Sequence, residues 1–252
     1  MRPAPELVLA TDLDGTFLGG SGAARRALYR WIEQNRESVH LIFVTGRDLP
    51  HIRELCAAPG FPTPDHIVGD VGTTVVDGRS HEPVATIQDD IAARWADSGD
   101  AVRALLADTP GLRPQAGPFA RRASFFYDPA TLDPAVAGRV REAGFDCLLS
   151  AETFFDVLPR GVNKGSTLLA LLAELELPAE RTLVAGDTMN DWSLFETRLP
   201  GVVVGNAEPK LLERTHDLPW LHHSRAHGAA GILDALAVRL EGSPLRPQEN
   251  AA

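Results

Sequence analysis

The sequence predicts an α/β protein: a Rossmann-like, mainly parallel sheet with helices on both faces, carrying an inserted α+β unit. Two observations predict it. Short apolar runs at Leu7–Thr11, Val39–Val44 and His66–Gly69 alternate with helical stretches, which is the pattern of strand–helix–strand units. The alternation loosens between Pro83 and Leu158 and then returns.

In order, strand Leu7–Thr11 leads to an amphipathic helix over 23–37 with Leu28, Trp31 and Ile32 on one side. Strand Val39–Val44 leads to a helix over 50–57, and strand His66–Gly69 closes the first half. Residues 87–108 read as a polar helix. Strands over 122–127, Phe145–Ser150 and 154–158 follow, with a helix over 134–143 between the first two and loops at Pro110, Pro114 and Pro118. After the insertion come a Leu- and Ala-rich helix over 164–175, a strand over 182–185, a short helix over 191–197, a strand over 202–204 and a helix over 231–240. The expected organisation is a core of residues 1–82 and 159–240, an inserted unit of 83–158, and a frayed tail of 241–252 rich in Pro, Gln and Glu.

Composition narrows the function. A formal charge of -10 argues against nucleic acid as a partner, because a phosphate backbone needs a cationic face. A small phosphate ester stays open, since one cation and a few basic groups can reverse the field locally. No apolar run reaches membrane-spanning length, so no membrane partner is expected. Cys56 and Cys147 are read as reduced thiols of a cytoplasmic protein. A monomer and a dimer fit equally well.

Three polar groups follow predicted strand ends, the edge where open α/β sheets bind ligands. They are Asp12-Leu13-Asp14-Gly15-Thr16, Thr45-Gly46-Arg47 and Gly186-Asp187-Thr188-Met189-Asn190-Asp191. Asp12 and Asp14 cannot both ionise cheaply without a cation. Magnesium takes carboxylate and phosphate oxygens, and Asp187 and Asp191 could complete such a site. An Asp-Gly turn would explain a lone DxDG, but the full DxDGT match arises by chance in only about one chain in a thousand. The Thr45 hydroxyl and Gly46 amide can bind phosphate beside a helix start, although an isolated TGR is more often a capping turn. Lys164, at the start of a helix, would offset phosphoryl charge; alone it would pass for an exposed lysine. Trp192 and Phe195 read as packing beneath the acidic loop. His222, His223 and His227 carry little weight as a metal site, because the expected ion prefers oxygen.

Taken together and in order, Asp12–Thr16, Thr45–Arg47, Lys164 and Gly186–Asp191 resemble the four motifs of the haloacid dehalogenase superfamily of phosphohydrolases. An insertion between the second and third motifs, with Asp70-Val71-Gly72-Thr73, Asp156-Val157-Leu158-Pro159 and Gly205-Asn206-Ala207, is similar to its sucrose-phosphate phosphatase branch. The resemblance implies an aspartate nucleophile, a magnesium ion and a cap closing over a small phosphorylated sugar. Asp12 would attack phosphorus, and Asp14 would serve as acid and then base. The ion would sit on the Asp12 carboxylate, the Asp14 main-chain carbonyl and Asp187, with Asp191 and Asn190 in support. Thr45, Gly46 and Lys164 would bind the transferring oxygens, while Arg47 either reaches substrate or is structural. The leaving group stays open among sucrose-6-phosphate, another glycosyl-sugar phosphate, a monosaccharide phosphate and a cyclitol phosphate. The rival readings are a phosphotransferase or mutase, a phospho-acceptor receiver and a catalytically dead binding protein.

Overall fold

A computed structural model describes residues 4–117 and 119–247. The chain runs β1 (Leu7–Thr11), α1 (Gly22–Gln34), β2 (Val39–Val44), α2 (Leu49–Cys56), β3 (His66–Gly69) and β4 (Thr74–Asp77). It continues through α3 (Ala85–Trp95), α4 (Gly99–Leu106), β5 (Leu112–Pro114), β6 (Ala123–Tyr127), α5 (Val136–Glu142), β7 (Phe145–Ser150) and β8 (Phe154–Pro159). It ends with α6 (Lys164–Glu174), β9 (Thr182–Gly186), α7 (Trp192–Glu196), β10 (Gly201–Val203), α8 (Pro209–Thr215), β11 (Leu221–His223) and α9 (Ala229–Arg239).

The main sheet has the order β11-β10-β9-β1-β2-β3-β4 and is parallel except for β4. Every residue of β1 is buried, as expected for a central parallel strand covered on both faces. Leu7, Leu9, Leu41 and Phe43 pack against Leu28 and Ile32 of α1 and Ile232 and Leu236 of α9. Val8, Ala10, Ile42 and Val44 pack on the other face with Leu168 and Leu171 of α6 and Phe195 of α7. The chain grows outward from β1 through β2 and β3 on one side and through β9, β10 and β11 on the other. The loops after β1 and β9 therefore diverge at the point where strand order reverses, where a crevice forms.

The second sheet is antiparallel, in the order β5-β6-β8-β7. One face is apolar and packs Phe125, Phe155 and Val157 against Trp95, Val102, Leu106 and Val140 of the surrounding helices. The alternation of β6 and β8 puts Ser124 opposite Asp156 on the other face.

Several expectations are corrected. The single helix over 87–108 is two helices, broken where Ala96 and Asp97 turn left-handed at φ 49 and 54. Trp95 is buried at that break, and Ser98 Oγ donates to its carbonyl. Pro114 lies in a strand, not a loop; β5 is the sheet edge, where a missing N–H costs little. Strands β4 and β11 and helix α8 were not anticipated; all are short, with β4 pairing to β3 across a tight turn and β11 to β10. Pro118 and residues 248–252 lie outside the described residues.

The expected tail begins docked. Leu245 is buried in the main core, and its carbonyl accepts a hydrogen bond from Trp31 Nε1 at 2.8 Å. Leu245→Ala should therefore destabilise the protein by roughly 2 kcal/mol in urea unfolding. A change under about 0.5 kcal/mol would mean the contact contributes nothing.

Candidate active site

The β1 end fixes Asp12 by its backbone, with Asp12 N–H donating to the Ala185 carbonyl of neighbouring β9 at 2.9 Å. The chain then turns sharply at Gly15, whose φ is 77. A Cβ there would stand 2.0 Å from Asp187 Oδ2, so glycine is what lets the β9 loop approach. Thr16 follows, buried, and its hydroxyl donates to Asp187 Oδ1 at 2.8 Å.

Helix α6 presents Lys164 at its first turn, with Asn163 and Ser166 forming a reciprocal cap. The Lys164 side chain is fully buried. Its ammonium donates to Asp12 Oδ1 at 2.7 Å, Asp191 Oδ1 at 2.6 Å and Asn190 Oδ1 at 2.8 Å. Those bonds use all the donors an ammonium has. Asp191 Oδ2 in turn accepts from the backbone of Asp187 and Thr188. The structure thus joins residues that are far apart in sequence: Asp12, Lys164, Asp187, Asn190 and Asp191.

Asp12, Asp187 and Asp191 each bring a carboxylate oxygen within 4.8 Å of the others. Three carboxyl groups face one ammonium, leaving an excess of two negative charges when all are ionised. A hard divalent cation matches both the oxygen donors and that charge. The protonation states agree. Burial, then Asp191, pushes Asp12 well above the ordinary carboxylate range against the pull of Lys164. Burial, then Asp191, raises Asp187 to about 7, with Thr16 and Lys164 opposing. Burial works against the Lys164 ammonium, but Asp12 and Asp191 more than offset it and hold its pKa above the ordinary value.

Asp14 goes elsewhere. Its carboxylate stands outside this cluster and forms a two-pronged pair with Arg47, Nε to Oδ2 and Nη2 to Oδ1, both at 2.6 Å. The pair is partly exposed, so its value to stability is small. The guanidinium occupies both Asp14 carboxylate oxygens.

Thr45 lies buried at the β2 end, and its Oγ1 accepts from Arg47 N–H at 3.2 Å. Beside it, Asp70 and Val71 turn left-handed at φ 50 and 59. For β-branched Val71 that conformation costs roughly 1–3 kcal/mol, the kind of strain found where a site holds a backbone in place.

A cavity of ≈410 Å³ opens over these groups. Asp12, Asp14, Gly46 and Arg47 form its floor, while Gln115, Arg122, Phe154 and Asp156 of the antiparallel unit line the opposite side. Two larger hollows, of ≈750 and ≈790 Å³, contain none of the acidic cluster. Phe195 is buried under the acidic loop and Trp192 partly so, with Arg214 over the Trp192 ring. His222 pairs with Asp234, and His223 with Thr215.

Sequence reasoning missed Arg122 and Gln115, for which no local signal exists. Asp156 and Asn206 entered only within the resemblance. Asn206 donates to the Gly15 carbonyl at 2.9 Å and so braces the turn that follows Asp12.

An acid-tipped, mainly parallel sheet facing an antiparallel unit across a cavity defines a haloacid dehalogenase-type phosphatase. The chain belongs to the sucrose-6F-phosphate phosphohydrolase family, whose model matches residues 5–238. It is 42% identical over 230 residues to a glucosylglycerol-phosphate synthase of Pseudomonas anguilliseptica, covering 91% of this chain but only 30% of that protein. It is 28% identical to the mannosylfructose-phosphate phosphatase of Agrobacterium fabrum (strain C58), covering 92% of this chain and 96% of that one. The sucrose-phosphatase of Synechocystis sp. PCC6803, solved in complex with sucrose and phosphate, superposes with a TM-score of 0.84 at 28% identity, over 93% of this chain and 98% of that one. No helix among the described residues is long and apolar enough to cross a membrane.

The raised Asp187 pKa contributes to the pH dependence of the metal-free protein. Its neutral form favours the fold below the ordinary value of 3.8, and that contribution is lost as pH rises through about 7. Between about pH 5 and pH 8 the wild type should lose thermal stability relative to Asp187→Asn, measured by calorimetry in chelator. A difference that is flat or of opposite sign would overturn the assignment.

Proposed function

We propose that the chain is a magnesium-dependent phosphomonoesterase acting on the phosphate of a small glycosylated sugar or polyol, through an aspartyl-phosphate on Asp12. The observation that carries this reading is the Lys164-bridged carboxylate cluster at the floor of a cavity beside Thr45 and Gly46.

Lys164 holds Asp12 Oδ1, leaving Oδ2 to attack phosphorus. The bond from phosphorus to the leaving oxygen breaks, and Asp14 protonates that oxygen. For this Arg47 must release Asp14, for which an incoming phosphate dianion is a competing partner, and the freed carboxylate must first take up a proton from solvent, which it then passes to the leaving oxygen. Asp14 then takes a proton from water whose oxygen attacks phosphorus, breaking the acyl-phosphate bond and freeing inorganic phosphate and Asp12. Thr45 and the Gly46 amide hold the transferring oxygens, and Lys164 and Asn190 keep Asp12 in line. Magnesium on Asp12 and Asp187, with Asp191 behind them and the Asp14 main-chain carbonyl as a further oxygen ligand, would neutralise phosphoryl charge. The antiparallel unit serves as a cap that keeps water out and selects the leaving group.

The names of the similar proteins support the substrate class, since each refers to a glycosylated sugar or polyol. Glucosylglycerol-phosphate heads the candidates, because that relative reaches 42% identity while mannosylfructose-phosphate phosphatase stands at 28%.

Asp12→Asn should lower turnover at least about a thousandfold while leaving the fold and midpoint close to wild type. Retained turnover would remove Asp12 from the nucleophile's role. A panel of glucosylglycerol-phosphate, sucrose-6-phosphate, mannosylfructose-phosphate and monosaccharide phosphates should show magnesium-dependent phosphate release, abolished by chelator and fastest on a glycosylated member. Equal turnover of simple monosaccharide phosphates would refute the substrate class.

A further inference from the structure

Arg122 stands just before β6, in the antiparallel unit, and is nearly as buried as the catalytic cluster. Its Nη1 binds Asp156 Oδ1 at 3.1 Å, and Asp156 is held again by Ser124 Oγ at 2.5 Å. Its Nη2 reaches across to the main sheet, to Asp70 Oδ1 at 3.1 Å and the Gly46 carbonyl at 3.2 Å. Phe119 stacks on the guanidinium at 4.4 Å, and Arg122 Nε is buried without a partner. A side chain placed only to fill space would not be spread over four groups on two sheets.

The Gly46 contact matters because of what surrounds it. The Thr45 carbonyl accepts from Val71 N–H at 3.1 Å, and the Arg47 carbonyl from Asp70 N–H at 2.9 Å. Both anchors belong to the strained turn of the main sheet. The carbonyl between them, that of Gly46, is held by Arg122 of the antiparallel unit. A trans peptide points its N–H opposite its C=O. Holding the Gly46 carbonyl therefore orients Arg47 N–H, which donates to Thr45 Oγ1 at 3.2 Å. With that lone pair occupied, the Thr45 hydroxyl keeps its own proton for a phosphoryl oxygen.

We propose that Arg122 is a positioning residue that fixes the Gly46–Arg47 peptide, and through it the Thr45 hydroxyl, so that the phosphate-binding loop is in order only while the antiparallel unit sits over the main sheet. The inference rests on the phosphatase reading. It differs from a sugar-gripping role for Arg122, because it predicts a defect with any phosphate ester, including one with no sugar.

The test uses Arg122→Lys and Arg122→Gln in the full chain, with p-nitrophenyl phosphate and the best sugar phosphate as substrates. Both variants should lower kcat on both substrates by at least about tenfold, and weaken inorganic phosphate binding in calorimetry by a similar factor. Arg122→Lys keeps the charge but cannot span the same groups, so it should not rescue. A loss confined to KM for the sugar phosphate, with p-nitrophenyl phosphate turnover within about twofold of wild type, would overturn the proposal. Asp156→Asn covers the case in which removing the arginine prevents folding. It loosens the hold on Arg122 but keeps its main-sheet contacts, and should give a smaller loss of kcat on both substrates. Unchanged kcat there would break the link to the antiparallel unit and count against the proposal. A wild type that hydrolyses neither ester with magnesium would instead sink the phosphatase reading, and phosphate affinity in the variants would still decide the role of Arg122.

Discussion

A single buried ammonium holds the active end of this sheet together. Lys164 has no access to solvent and spends its three donors on Asp12, Asn190 and Asp191. Taking a lysine and two aspartates out of water costs several kcal/mol per ion, and only close pairing with further hydrogen bonds repays it. Asp191 meets that condition by also accepting two backbone N–H groups. Burial, then the neighbouring Asp191, raises the Asp12 pKa against the pull of Lys164. When all three carboxyl groups are ionised, the cluster carries more negative charge than its one ammonium balances, and its oxygens could hold a divalent ion.

That constraint reaches back into the fold. Asp12 and Asp187 meet because β1 and β9 are neighbours, with Asp12 N–H bonded to the Ala185 carbonyl. Lys164 meets them because α6 packs Leu168 and Leu171 on the same face of the sheet and points its capped N-terminus at the strand ends. Gly15 has no side chain to keep Asp187 away. Apolar packing over the body of the sheet thus supplies the stability that a crowded set of like charges takes away at its edge.

The antiparallel unit plays a different part. It buries Phe125, Phe155 and Trp95 in a core of its own, and turns a polar face with Ser124 and Asp156 toward the cavity. Arg122 is the charged link between that face and the main sheet, through Asp70 and the Gly46 carbonyl. Arg47, by contrast, is spent on Asp14. Two arginines on opposite sides of one cavity therefore engage different groups, Arg47 the Asp14 carboxylate and Arg122 the Gly46 carbonyl.

The strands that end at the acidic cluster could be read from sequence because buried parallel strands are continuous apolar runs, and acids recur where such runs end. Leu7–Thr11, Val39–Val44 and His66–Gly69 match the expected limits for that reason. The Lys164-to-carboxylate contacts were foreseen only as a shared site, since spacing in sequence gives no distances. The break at Ala96, the edge strand β5 and the docked Leu245 went unread because each depends on a partner that local pattern does not name. The same holds for Arg122, one of 24 basic residues with nothing in its neighbours to set it apart. By itself, then, the sequence determined the class of fold and which acids stand at strand ends, because apolar periodicity and turn chemistry are local. Only the tertiary structure decided which charges are buried together, where Asp14 points and which side chain spans the cavity, because those depend on which surfaces the packed elements bring face to face.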